Sequence, residues 1–117
     1  MDEKLEKALE FSNYRLTLNN QKQNLKTRMQ TMMTIGYNST LFTARIELIN
    51  FVKQLIDLKV DQYIILDDNE NPVLITDLTD FHSKLLSQYT EALNEFYVES
   101  EKLKKLRTTK QLVGLNV

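Results

Sequence analysis

Asp67, Asn69 and Asn71 alternate along Asp67-Asp68-Asn69-Glu70-Asn71-Pro72. That is the spacing of the first three oxygen ligands in the calcium loop of an EF-hand. The loop next needs glycine for a sharp bend and, at its twelfth position, a glutamate that binds through both oxygens. Pro72 stands in the glycine place and Leu78 in the glutamate place. The apolar Val73-Leu74-Ile75 that follows suits a strand better than a ligand loop. The segment therefore reads as an acidic, solvated hairpin turn.

His82 is the single histidine, so no second imidazole is present to share a metal. Asp80 and Ser83 lie close to it in sequence, but neighbouring helical positions point in different directions, and no triad results. Glu91/Glu95 and Glu95/Glu99 pair four apart on one helical face. General acid–base work needs such a pair in a pocket that separates the two pKa values, and these positions border an apolar stripe on the solvent side. The chain has no cysteine, which removes disulfides, thiolate ligands and thiol nucleophiles. Gly36 and Gly114 are its only glycines, so a glycine-rich phosphate cradle is not available. The expectation is a protein with no catalytic residues, no metal ligands and no cofactor.

Charge is unevenly spread although the net charge is only −1. Residues 11–46 hold five basic residues (Arg15, Lys22, Lys26, Arg28 and Arg45) and no acid. Residues 47–101 hold twelve acids and three lysines, and residues 102–117 hold five basic residues and no acid. Arg15, Lys22, Lys26 and Arg28 form a candidate basic face for a phosphate backbone. A plainer reading pairs that face with Glu91, Glu95 and Glu99 of the last helix and assigns the terminal lysines to the helix dipole. Five charges over 36 residues make a thin patch, and aromatics for stacking on single strands are sparse there. The plainer reading is preferred. Met29, Met32 and Met33 cluster after the basic run and read as core filler rather than an adaptable binding surface.

These residues need elements to hold them. Residues 2–33 read as one helix, with Phe11, Leu18, Leu25 and Met32 recurring every seven residues. The seam is thin, interrupted by Arg15, Gln21, Lys22 and Arg28. A helix of about 45 Å is as long as a compact domain of this size, so part of it is expected to project or to pack on another subunit, and residues 11–33 are where any partner is to be sought. Phe11, Leu18, Leu25, Met29 and Met32 are the candidate seam. Gly36 is placed to end the helix in a left-handed cap. Residues 40–43 read as a short strand and 44–58 as a buried helix, apolar around most of its circumference. Residues 62–75 read as a β-hairpin with Pro72 at the edge of its second strand. Thr76 or Asp77 caps a last helix over 77–107. Its stripe runs through Leu78, Phe81, Leu85, Tyr89, Ala92, Phe96, Leu103 and Leu106, and Leu86, Leu93 and Tyr97 widen it. An apolar tail, 108–117, closes the chain. The expected fold is α+β and predominantly helical: one domain over 1–117, with two long antiparallel amphipathic helices, a shorter buried helix and a small hairpin.

One proline and two glycines in 117 residues agree with few turns and long elements. The charged start, Met1-Asp2-Glu3-Lys4, carries no secretory signal, and no apolar run reaches the length of a membrane span. Asn38-Ser39-Thr40 matches a glycosylation sequon by chance in such a context.

Several stretches resemble a group of small uncharacterised proteins encoded by T4-like marine phages of the cyanophage type. They are Ala8-Leu9-Glu10-Phe11-Ser12-Asn13-Tyr14-Arg15, Thr17-Leu18-Asn19-Asn20-Gln21-Lys22, the hairpin from Leu66 to Ile75, Glu95-Phe96-Tyr97-Val98-Glu99, and Leu103-Lys104-Lys105-Leu106-Arg107. The resemblance covers most of the chain and implies a phage origin. It carries no functional residues, because the group has no assigned activity. The expected function is thus a non-enzymatic structural or assembly protein. It would act through protein–protein contacts, with itself or another phage protein, in the cytoplasm of an infected cell or in the virion, and without a membrane. The alternative is a nucleic-acid accessory protein that uses the basic face of the first helix, Arg15, Lys22, Lys26 and Arg28, and the basic C-terminal tail.

Overall fold

The computed structural model describes residues 2–115. The chain is α+β and mainly helical, with three helices and two small antiparallel hairpins among the described residues. It divides into two compact units, Met29–Glu95 and the pair of segments up to Arg28 and from Phe96 onward.

Helix α1 spans Glu3–Met32. It contains no glycine or proline, and the Asp2 carboxylate caps it by accepting the Lys4 amide at 3.1 Å. Glu3 and Glu6 in the first turn suit the positive end of the helix dipole. None of its residues is buried.

The expected left-handed cap at Gly36 is absent, because no glycine has a positive φ. Instead, the chain leaves α1 directly into strand β1, Thr34–Tyr37, which pairs antiparallel with β2, Thr40–Thr43. Thr34 and Ile35 are β-branched and favour this exit. The two linking residues, Asn38 and Ser39, both have positive φ, 50° and 64°. That is the type I′ turn whose twist matches a hairpin.

Helix α2, Ile46–Asp57, buries Ile49, Val52 and Leu55 on one face. Phe51 and Leu58 stay exposed, so the helix is covered on one side and not all round. It ends in a Schellman motif: the Val60 and Lys59 amides donate to the Leu55 and Ile56 carbonyls, with Lys59 at φ 60°. Strands β3, Tyr63–Leu66, and β4, Pro72–Ile75, form the second hairpin. Its loop is a three-residue turn with Glu70 at φ 62°, where glycine or asparagine is usual.

Helix α3 runs from Leu78 to Leu115, eight residues beyond the expected end, so the segment read as a tail is helical through Leu115. The Asp77 carboxylate caps it by accepting the Asp80 amide at 3.0 Å. Leu78, Phe81, Leu85 and Ala92 are buried, whereas Leu86, Leu93 and Tyr97, expected to widen the stripe, are exposed.

The core of the Met29–Glu95 unit joins Phe42 of β2, Val52 of α2, Ile65 and Ile75 of the second hairpin, and Phe81 and Leu85 of α3. Phe81 holds its centre, edge-on to Phe42 at 5.0 Å and tilted against Tyr37 at 4.9 Å between ring centroids. The Gln88 amide donates to the Met32 carbonyl at the end of α1.

Ser39 pays the side-chain cost of a left-handed backbone without any hydrogen bond that requires serine. Ser39→Gly is expected to stabilise the protein by about 0.5–1 kcal/mol and raise Tm by about 3–5 °C in a thermal melt. A lower Tm would contradict this turn.

Candidate interaction surfaces

The residues that promised chemistry are used for structure. Asp67 is buried, not solvated. One carboxylate oxygen accepts the backbone amides of Asn69 (2.9 Å) and Asn71 (2.8 Å), and the other accepts the Thr40 hydroxyl at 2.5 Å. The Thr40 hydroxyl, aided by the Asn71 and Asn69 amides and opposed by burial, holds the Asp67 carboxyl below its ordinary value. Asp68 reaches the same strand. Its two oxygens accept the Thr43 amide and hydroxyl, both at 2.8 Å, and its own amide donates to the Leu41 carbonyl at 2.9 Å. The turn of the second hairpin is therefore fastened onto β2, and its oxygens face donors in place of a cation. Among the described residues no three His, Asp or Glu side chains come together in a way that could hold a metal.

His82 lies half-buried in a shallow open groove of about 710 Å³ whose lining comes from α3 alone, including Ser83, Leu86 and Glu91. Among the described residues no second element lines it. Asp80 is engaged elsewhere, accepting the Tyr37 hydroxyl at 3.1 Å and pairing with Lys84 at 3.4 Å. Burial first, then the Asp80 hydrogen bond and charge, pushes the Tyr37 phenol up. Glu99 pairs with Lys102 on its own helix at 3.2 Å, and Glu91 and Glu95 are exposed.

On α1, Arg15, Lys22, Lys26 and Arg28 are all exposed, with the Arg15 guanidinium 5.9 Å from the Phe11 ring centroid. Continuous helix puts Arg15, Lys22 and Lys26 within about 40° of one another and turns Arg28 well away from them. Of the candidate seam, Leu18, Leu25, Met29 and Met32 are half-buried and Phe11 is exposed.

Two apolar surfaces went unread in the sequence. In the second hairpin, Ile65 and Ile75 point into the core, and the pairs Ile64–Leu74 and Leu66–Pro72 share the opposite face. All four are exposed, with Ile64 at 60% and Leu66 at 59%. Strict alternation would have put polar residues there, and Ile64-Ile65-Leu66 is the available signal. The other surface is on α1, where Leu5, Leu9 and Leu16 remain 51%, 47% and 59% exposed.

No protein-family model, curated protein or solved structure matches the chain. None of the described helices is long and apolar enough to cross a membrane.

Because the folded Asp67 carboxyl titrates below its unfolded value, its contribution to stability is complete above the unfolded value of roughly pH 4. It is lost as pH falls through that value and the lower folded one. Urea melts at pH 7 and pH 3 should show a larger acid loss for the natural chain than for Asp67→Asn. Equal losses would remove Asp67 from this role.

Proposed function

We propose that the chain is a non-enzymatic structural or assembly protein, of phage origin, that works through protein–protein contacts as a homo-oligomer. One observation carries the reading: a 30-residue helix with no buried residue, on which Leu5, Leu9, Phe11 and Leu16 stay about half exposed. Helices in proteins take most of their stability from a packed apolar face. An ordered helix of this length with so little covered has surface to spare for a partner. The engagement of Asp67, Asp68 and Asp80 in holding the fold is consistent with a chain whose polar groups do no chemistry. Light scattering on the purified chain at micromolar concentration is expected to give a mass above that of the monomer. A strict monomer overturns the reading.

A second reading rests on the exposed row Arg15, Lys22 and Lys26, in the acid-free stretch of α1. Here the chain would be a nucleic-acid accessory protein held through phosphates. Retention on single- or double-stranded DNA or RNA should then appear at low salt and fall steeply as salt rises. No retention at low salt disposes of it.

A further inference from the structure

Helix α1 is continuous, so its residues advance about 100° each. Within the unit formed by the segments up to Arg28 and from Phe96, its half-buried residues are Tyr14, Leu18 and Leu25. They fall within about 40° of one another. Leu5, Leu9 and Leu16 also fall within about 40°, centred about 180° from the first group. The helix thus has two apolar lines on opposite sides: one half-covered, the other open. All nine charged residues of α1 (Glu3, Lys4, Glu6, Lys7, Glu10, Arg15, Lys22, Lys26 and Arg28) lie outside a strip about 120° wide centred on the open line. Ser12, Asn20 and Gln23 continue that strip along the helix.

We infer that this open face of α1, through Leu5, Leu9 and Leu16, is where a second copy of the chain docks. The inference rests on the homo-oligomer reading above and names its surface. Two features single out a second copy. The strip carries no charge of either sign, so two identical strips meet without like-charge repulsion and without stranding a buried charge. Its size also fits. A strip about 45 Å long and about 10 Å wide, covered on both copies, removes on the order of 1,000 Å² from water, the level at which specific interfaces begin. In a parallel pairing the leucines of the two copies meet over the N-terminal half of the strip, and the uncharged polar residues beyond Leu16 can hydrogen-bond along the rest. Repetition at four and seven residues, Leu5 to Leu9 to Leu16, is the spacing of a helix–helix seam.

Sedimentation equilibrium of the full chain tests this, comparing the natural sequence with Leu9→Glu/Leu16→Glu. Both positions are solvent-exposed, and circular dichroism checks that the variant keeps its helix. Self-association weakened by roughly a hundred-fold or more is expected. Unchanged association by a folded variant overturns the assigned face and leaves the homo-oligomer reading standing. A monomeric natural chain overturns both. Cross-linking supplies a second measurement if the double variant unfolds, since the chain has no cysteine. Leu5→Cys, Leu9→Cys and Leu16→Cys, alone and mixed in pairs, should give disulfide-linked dimers under mild oxidation, and Lys53→Cys at an exposed position of α2 should not. Dimers from Lys53→Cys alone, or none from the α1 variants, reject the face.

Discussion

Two-stranded hairpins are marginal on their own, and the Met29–Glu95 unit contains two of them, joined by the carboxylates of Asp67 and Asp68. Asp67 first folds its own loop by gathering the Asn69 and Asn71 amides, then accepts the Thr40 hydroxyl across to the other hairpin. Asp68 takes both donors of Thr43 and gives its amide to Leu41. These contacts fix β2 against the loop at Thr40, Leu41 and Thr43. Phe42 lies between them and, by alternation, faces the opposite way from its neighbours, where it meets Phe81. The polar fastening and the centre of the apolar core are thus set by adjacent residues of one four-residue strand. The charge-assisted bonds hold the position, and burial of Phe42, Phe81 and their neighbours supplies most of the driving force.

The same coupling occupies the carboxylate oxygens of this acidic turn with hydroxyl and amide donors. Calcium loops present free oxygens to a common centre. Here a hydroxyl and two amides take the Asp67 oxygens, while the amide and hydroxyl of Thr43 take those of Asp68. Any ion would have to displace donors that organise the loop and tie it to β2. The chain spends its most chemistry-like residues on docking one weak element to another.

Regular elements were legible where a single period dominates. The stripe from Leu78 to Ala92, the hairpin around Asp67–Pro72 and the strand at Thr40–Thr43 each show one clear pattern, and each is present. The first hairpin was half lost, because Gly36 after a long helix reads as a cap and Asn38-Ser39 lacks the glycine that usually marks a type I′ turn. Thr34-Ile35 and Tyr37 opposite Thr40 were the clue, visible only when both strands are considered together. Helix α3 continues past Arg107 to Leu115, in keeping with a segment that has no proline and meets its one glycine only at Gly114. The roles of Asp67 and Asp68 were out of reach, since no local pattern says that a turn will meet a strand 25 residues earlier.

Helix α1 shows a different limit. A periodicity search rewards one stripe against one polar face. Two stripes on opposite sides of a helix cancel in any such sum, and the helix reads as weakly amphipathic. The seven-residue series Phe11, Leu18, Leu25, Met32 picks out one line. In an unbroken helix Leu5, Leu9 and Leu16 lie on the far side from it, four and seven residues apart on a line of their own. The placement of charge agrees independently. Nine charged residues distributed without regard to face would put about three on any third of the helix; the third around Leu5, Leu9 and Leu16 has none. Solvation does not require a helix to keep that much of its surface uncharged, whereas contact with another apolar surface does. The thin seam and the uncharged strip are therefore two separate apolar lines of one helix, the first half-buried and the second exposed.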